Sequence, residues 1–159
     1  MRIKEFLFTA FYAGYCPVAP GTAGTLVGMA LYFIVFLLSG EISWVVNLIA
    51  VVALFYPFMK LADDGERYFG VKDPEQVVID EIMGYWISVL FYPFNIKIAV
   101  AAFFVFRFFD ILKPWPAGKL QSLRGGLGIM IDDCVAGVYT NLILLAAVLV
   151  LKLFHVDIY

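Results

Sequence analysis

Apolar residues in this chain come in runs too long and unbroken for the surface helices of a soluble domain, and the polar residues collect between them. Leu26 to Leu38 is one such run, closed by Ser39-Gly40-Glu41, and Ile42 to Met59 is a second, with Pro57 inside it. Lys60 to Glu81 is polar. Ile82 to Tyr92 and Ile96 to Phe109 are apolar runs of eleven and fourteen residues, predicted as a helical hairpin with its turn at Pro93–Lys97. Neither reaches the roughly 20 residues that cross a bilayer as a straight helix, so the hairpin either spans with help from its polar ends or is re-entrant. Cys134 to Phe154 runs twenty-one residues with one charge, Lys152, and is the clearest span. Upstream, Met1–Tyr15 is short and aromatic, suited to lying on a membrane surface or dipping into it. Cys16–Thr25 is a turn-rich helix entry, with Thr22 or Thr25 placed to cap it. The pattern predicts an all-α fold: one domain over residues 1–159, a compact polytopic membrane bundle of about five apolar helices, two of them short.

Composition strengthens this. Apolar residues make up 64% and charged residues 15%, against about 45–50% and about 25% in soluble domains, and mean hydropathy is +0.94. A formal charge of −2 argues against nucleic-acid binding, which needs a basic surface. Cys16 and Cys134 form no C-x-x-C pair and read as small buried hydrophobes. Met1 to Thr9 carries Glu5 and no small-residue cleavage site follows, so no signal peptide is expected.

If all five runs cross, Arg2, Lys4, Lys60, Arg67, Lys72, Arg107, Lys113, Lys119 and Arg124 fall on one side, and only Lys97 and Lys152 on the other. Short basic connections stay inside, so the N-terminus is expected in the cytoplasm and the C-terminus outside, in the inner (plasma) membrane. All carboxylates but Glu41 and Asp157 share the inner face.

The chemistry concentrates there. Asp80-Glu81 opens a short helix and Asp132-Asp133 the last long one, four negative charges that repel unless a cation lies among them. A hard divalent ion held through carboxylate oxygens, Mg²⁺ above all, fits that set; helix-dipole stabilisation is the plainer alternative. Arg107, Asp110 and Lys113 repeat at i, i+3, i+6 on one face before Pro114, either as a site or as interfacial cations around a salt-bridged Asp. Pro20–Thr25 and the run Arg124-Gly125-Gly126-Leu127-Gly128 are either turns or anion-binding backbone. Gly84 and Gly137, each four residues after an acid, would let helices approach closely. The sole histidine, His155, lies beyond the last span, which disfavours phosphohistidine chemistry and His-ligated zinc; no P-loop or G-x-S-x-G is present. The remaining set suits metal-activated water attacking a phosphoryl group.

P-G-T-A-G-T (Pro20–Thr25), D-E-I-M-G (Asp80–Gly84), R-F-F-D-I-L-K-P-W-P (Arg107–Pro116) and G-G-L-G-I-M-I-D-D-C-V-A-G (Gly125–Gly137) stand in the order of the phosphatidylglycerophosphatase A family, which the chain resembles from Pro17 to Asn141. Arg124 stands where that family frequently has His. The resemblance implies an all-helical, Mg²⁺-dependent membrane phosphatase that converts phosphatidylglycerophosphate to phosphatidylglycerol. Carried over by position, it implies Asp80, Glu81, Asp110, Asp132 and Asp133 as the acidic site residues. The motif does not divide them; we assign Asp80, Glu81 and Asp133 to the metal and Asp110, Asp132 and Asp133 to catalysis, with Asp110 or Asp132 orienting or deprotonating water. Arg107, Lys113, Lys119, Thr22 and Thr25 would bind phosphate. Two alternatives stand beside it: a phosphatase for another lipid phosphate, such as phosphatidate or a polyprenyl phosphate, and a divalent-cation transport protein.

Overall fold

The computed structural model describes residues 2–155, among which there are seven α-helices and no strand. They are α1 (Arg2–Phe8), α2 (Pro20–Ser39), α3 (Ser43–Phe69), α4 (Ile79–Ser88), α5 (Ile96–Leu112), α6 (Ala117–Leu120) and α7 (Gly126–Leu153). Asp157, expected on the outer side, lies outside the described residues. Two stretches, Pro20–Phe69 and Gly126–Leu153, are long and apolar enough to cross a membrane; the ten-residue α4 and seventeen-residue α5 are not. Two of the five expected apolar runs, carried by α2 and α3, fall within the first stretch, and the last run falls within the second.

Three boundaries differ from expectation. First, α2 starts at Pro20 rather than beyond Thr25, with proline at its first position and no side-chain cap from either threonine. Gly21, Gly24 and Gly28 make one smooth face there: a Cβ on Gly24 would lie 2.7 Å from the Val78 Cβ, and one on Gly28 3.1 Å from the Ile82 Cα. The glycines serve helix contact, not a turn. Second, α3 continues ten residues past Met59, because Ala62 and Gly65 are buried while Asp64 and Arg67 point outward, an amphipathic pattern hidden in what reads as a polar linker. It stops at Gly70, whose left-handed backbone (φ 68°) returns its N–H to the Glu66 carbonyl. Third, α7 starts at Gly126, so Asp132 and Asp133 lie in its second turn instead of opening it. A side chain on Gly126 would overlap the Met59 carbonyl, so the glycine there lets the head of α7 pack directly against α3.

The core seam is between α4 and α7. Asp80 and Glu81 lie near Asp133, Gly84 lies under the Asp133 carbonyl, and Asn141 donates to the carbonyls of Ile87, Ser88 and Leu90. The two helices therefore run parallel. Gly84 and Gly137 face each other across the crossing, as their spacing suggests, and Asn141 satisfies carbonyls that the end of α4 leaves without partners. Residues 89–95 turn the chain back into α5, which starts where the Asn95 side chain accepts the Lys97 N–H (2.8 Å) and runs antiparallel to α4. Aromatic packing closes the far end, with Phe36 stacked on Phe94 at 4.3 Å between ring centres.

The N-terminal segment is docked rather than loose. Lys4 pairs with Asp64 (2.7 Å), Phe8 is buried against Tyr68 and Phe69, and the Phe8 carbonyl accepts the Val78 N–H. Ile3, Phe11, Tyr12 and Tyr15 remain exposed. Cys134 is buried as expected, whereas Cys16 is exposed on the entry loop, where no core reaches it; both thiols are free.

Candidate active site

One end of the bundle gathers the heads of α2 and α4, the tail of α5 and the second turn of α7 around a cavity of about 400 Å³. Asp80 and Glu81 occupy the first turn of α4, where unpaired N–H groups and the helix dipole favour negative charge. Asp133 comes from the neighbouring parallel helix. One carboxylate oxygen from each of the three lies within 4.8 Å of the others. Asp80 and Asp133 are buried, and Asp80 Oδ1, Glu81 Oε2 and Asp133 Oδ2 have no hydrogen-bond partner.

The tail of α5 brings two cations to the same cavity. Arg107 Nη1 pairs with Asp110 at 2.6 Å and donates to Thr25 Oγ1 at 3.4 Å, while its Nε is buried without a partner. Thr25 itself donates to the Gly21 carbonyl. A side chain on Gly21 would run into the Glu81 carboxylate and the Arg107 guanidinium, so that glycine makes room for both. Lys113, just past the end of α5, pairs with Asp132 at 2.7 Å. Asp110 lies beside Asp133, which brings the cation group against the acidic one.

Burial dominates the electrostatics. It holds the Asp80 carboxyl well above its ordinary range, helped by neighbouring Glu81. Burial above all, helped by Asp110, pushes Glu81 up to about 7 against the lowering influence of the Asp80 hydrogen bond and Arg107. Buried carboxylates this close, with orphaned oxygens, are costly unless a proton or cation lies between them. A hard cation suits them. Oxygens sharing one Mg²⁺ at about 2.1 Å cannot be more than about 4.2 Å apart, a small adjustment from what is present.

The residues singled out by sequence do not all converge. Asp80, Glu81, Asp110, Asp132, Asp133, Arg107 and Lys113 line the cavity. Thr25 lies behind it and holds Arg107. Thr22 and the exposed Lys119, on α6, are not among its lining residues. The lining also includes residues that the sequence did not single out, among them Asp73 and Glu75, from the segment leading into α4, and Val18 and Ile111, at the mouth. Asp73 and Glu75 precede the Asp80-Glu81 doublet by only a few residues, a charge cluster that could have marked them. Asp73 takes a left-handed φ of 50° and accepts Gln121 Nε2 at 2.6 Å, fastening that segment to the stretch after α6.

Fold and site together define an all-helical protein with a carboxylate-and-cation cavity at the head of its longest apolar helix, the donor set of metal-assisted phosphoryl chemistry. Comparison with known proteins narrows this. A family profile described as Phosphatidylglycerophosphatase A matches residues 6–148, and the chain belongs to that family. It is 36% identical over 136 residues to the Phosphatidylglycerophosphatase A of Escherichia coli (84% of this chain, 77% of the relative). It is 36% identical over 145 residues to that of Haemophilus influenzae (89% and 86%). A Bacteroides thetaiotaomicron protein named "Putative phosphatidylinositol-3-phosphatase" is 37% identical over 143 residues (87% and 89%). No solved structure matches.

Proposed function

We propose that this protein is a Mg²⁺-dependent lipid phosphatase that hydrolyses phosphatidylglycerophosphate to phosphatidylglycerol and inorganic phosphate at the cytoplasmic face of the inner membrane. Membership of the phosphatidylglycerophosphatase A family supports the reaction, and one observation carries the site. Three carboxylates with orphaned oxygens face two cations across a single cavity. Spanning stretches at Pro20–Phe69 and Gly126–Leu153 support a membrane location, and the sequence's excess of inner-side lysine and arginine supports the cytoplasmic face.

Asp80, Glu81 and Asp133 hold Mg²⁺, which when bound neutralises charge on the phosphate and acidifies bound water. Arg107 is held in one orientation by Asp110 and Thr25 and offers its free Nε–H to a phosphate oxygen. Lys113 adds a second positive charge from the Asp132 side. Asp110 touches the guanidinium and lies beside Asp133, the position from which a carboxylate orients a water and accepts its proton. The water oxygen bonds to phosphorus, the phosphorus–glycerol oxygen bond breaks, and the released alkoxide takes up the proton that Asp110 accepted from the water.

Phosphate release by purified protein with Mg²⁺ or EDTA tests this: release should require Mg²⁺, and well-folded, Mg²⁺-loaded protein releasing none would sink the substrate assignment. A second reading keeps the chemistry and changes the head group. The Bacteroides thetaiotaomicron relative favours it, because its name assigns an inositol lipid at similar identity. A panel of phosphatidylglycerophosphate, phosphatidylinositol 3-phosphate and phosphatidate, ranked by kcat/KM, separates the two. Cation transport would need acids spread along a path through the bilayer, whereas these gather at one end.

The raised Glu81 carboxyl gives a pH dependence with a definite sign. Below about 7 it carries a proton that Mg²⁺ must displace, and above it is free. The Mg²⁺ concentration for half-maximal activity should therefore rise by about tenfold or more as pH falls from 8 to 6. Mg²⁺ titrations at pH 6, 7 and 8 read this directly, and a flat profile would contradict it.

A further inference from the structure

We propose that the cavity opens sideways between the head of α2 and the tail of α5, and that this opening takes the glycerol backbone and acyl chains of the lipid whose phosphate the carboxylates receive. The proposal rests on the lipid-phosphatase reading above. Most of the lining is charged, but two residues are apolar and open to the outside: Val18 is 89% exposed and Ile111 is 73% exposed. A site for a small soluble phosphate has no use for such residues at its mouth.

Ile111 also belongs to a longer surface. With Phe104, Phe108 and Leu112 it forms an exposed stripe at i, i+4, i+7, i+8 along α5, ending at the cavity. α2 beside it exposes Leu26, Phe33 and Leu37. The helices touch at Arg107 and Thr25, so the seam is cationic at one end and apolar along its flanks. That gradient has the polarity of a phosphomonoester lipid, with its charged head at the guanidinium and its chains along the stripe. Elsewhere the rim carries Asp73 and Glu75, whose charge repels acyl chains. Exposed apolar residues on α7, such as Leu149, lead to no cavity.

The test compares Ile111→Ser with Leu149→Ser on two substrates in mixed micelles with Mg²⁺: dioleoyl phosphatidylglycerophosphate and its deacylated head group. Ile111→Ser should raise KM for the acylated lipid about tenfold, from lost apolar contact. Its kcat should stay within about twofold and the deacylated substrate should be unaffected; Leu149→Ser should change neither. Equal loss on both substrates, a change in kcat alone, or an Ile111 variant indistinguishable from the Leu149 one would overturn the opening while leaving the phosphatase standing. Wild-type protein that cleaves neither substrate would overturn both.

Discussion

Asp133→Asn should lower kcat/KM for phosphatidylglycerophosphate by about a thousandfold, roughly 4 kcal/mol of transition-state stabilisation. The side chain keeps its shape, but one of three oxygens that could hold a cation becomes an amide, and the neighbour of Asp110 loses its charge. The same substitution should not weaken the fold. Without Mg²⁺, Asp133 is a buried carboxylate beside Asp80, Glu81 and Asp110, and removing its charge relieves repulsion that Lys113 offsets only in part. Melting temperatures should therefore separate function from folding. Mg²⁺ should raise that of the wild type, and the variant should melt no lower than metal-free wild type and barely respond to Mg²⁺. Activity retained within tenfold would remove Asp133 from the site; a variant that simply unfolds would show its carboxylate to be structural.

The second large effect is expected at a residue with no side chain. A methyl group on Gly84 would meet the Phe106 ring at 2.6 Å and the Asp133 carbonyl at 2.8 Å, both fully or nearly buried. Neither can retreat, since Phe106 is fixed in the core and the carbonyl belongs to α7 itself. Gly84→Ala should cost about 2–3 kcal/mol of stability and push the head of α4 away from α7. Because Asp80 and Glu81 ride on α4, the variant should also need about tenfold more Mg²⁺ for half-maximal activity. Denaturant unfolding and Mg²⁺ titration measure the two parts. A variant as stable as wild type would mean that the seam yields far more readily than its packing implies.

Both effects fall on residues whose importance can be read from the chain, and that is instructive about what a sequence carries. Acids entering apolar segments announce themselves, because burial of charge is rare without purpose. The spacing of Gly84 from Asp80, and of Gly137 from Asp133, announces the crossing that brings them together. Helix ends are less legible. Pro20–Thr25 has the composition of a turn, and only the packed faces of Val78 and Ile82 show why glycines there stay helical. Residues 60–69 look like a linker until the burial of Ala62 and Gly65 gives them a face. Thr25 and Lys119 show the other limit. Thr25 reaches Arg107 instead of the cavity, and Lys119 points outward from α6, because which way a polar side chain turns depends on partners distant in sequence. Asp73 and Ile111 enter the site for the same reason: a loop and a helix tail fold over it.

The parallel seam of α4 and α7 carries one more consequence. Gly84 and Gly137 bring backbone against backbone a single turn away from the acids, so the span between Asp80 and Asp133 is set by main chain and by two short, buried side chains. For a cation held there, spacing alone would not exclude the larger ion: oxygens up to 4.8 Å apart already suit the longer bonds of Ca²⁺, and Mg²⁺ would have to draw the acids together slightly. What would favour Mg²⁺ is the small number of carboxylates on offer, with water completing its shell, where Ca²⁺ asks for six to eight oxygens.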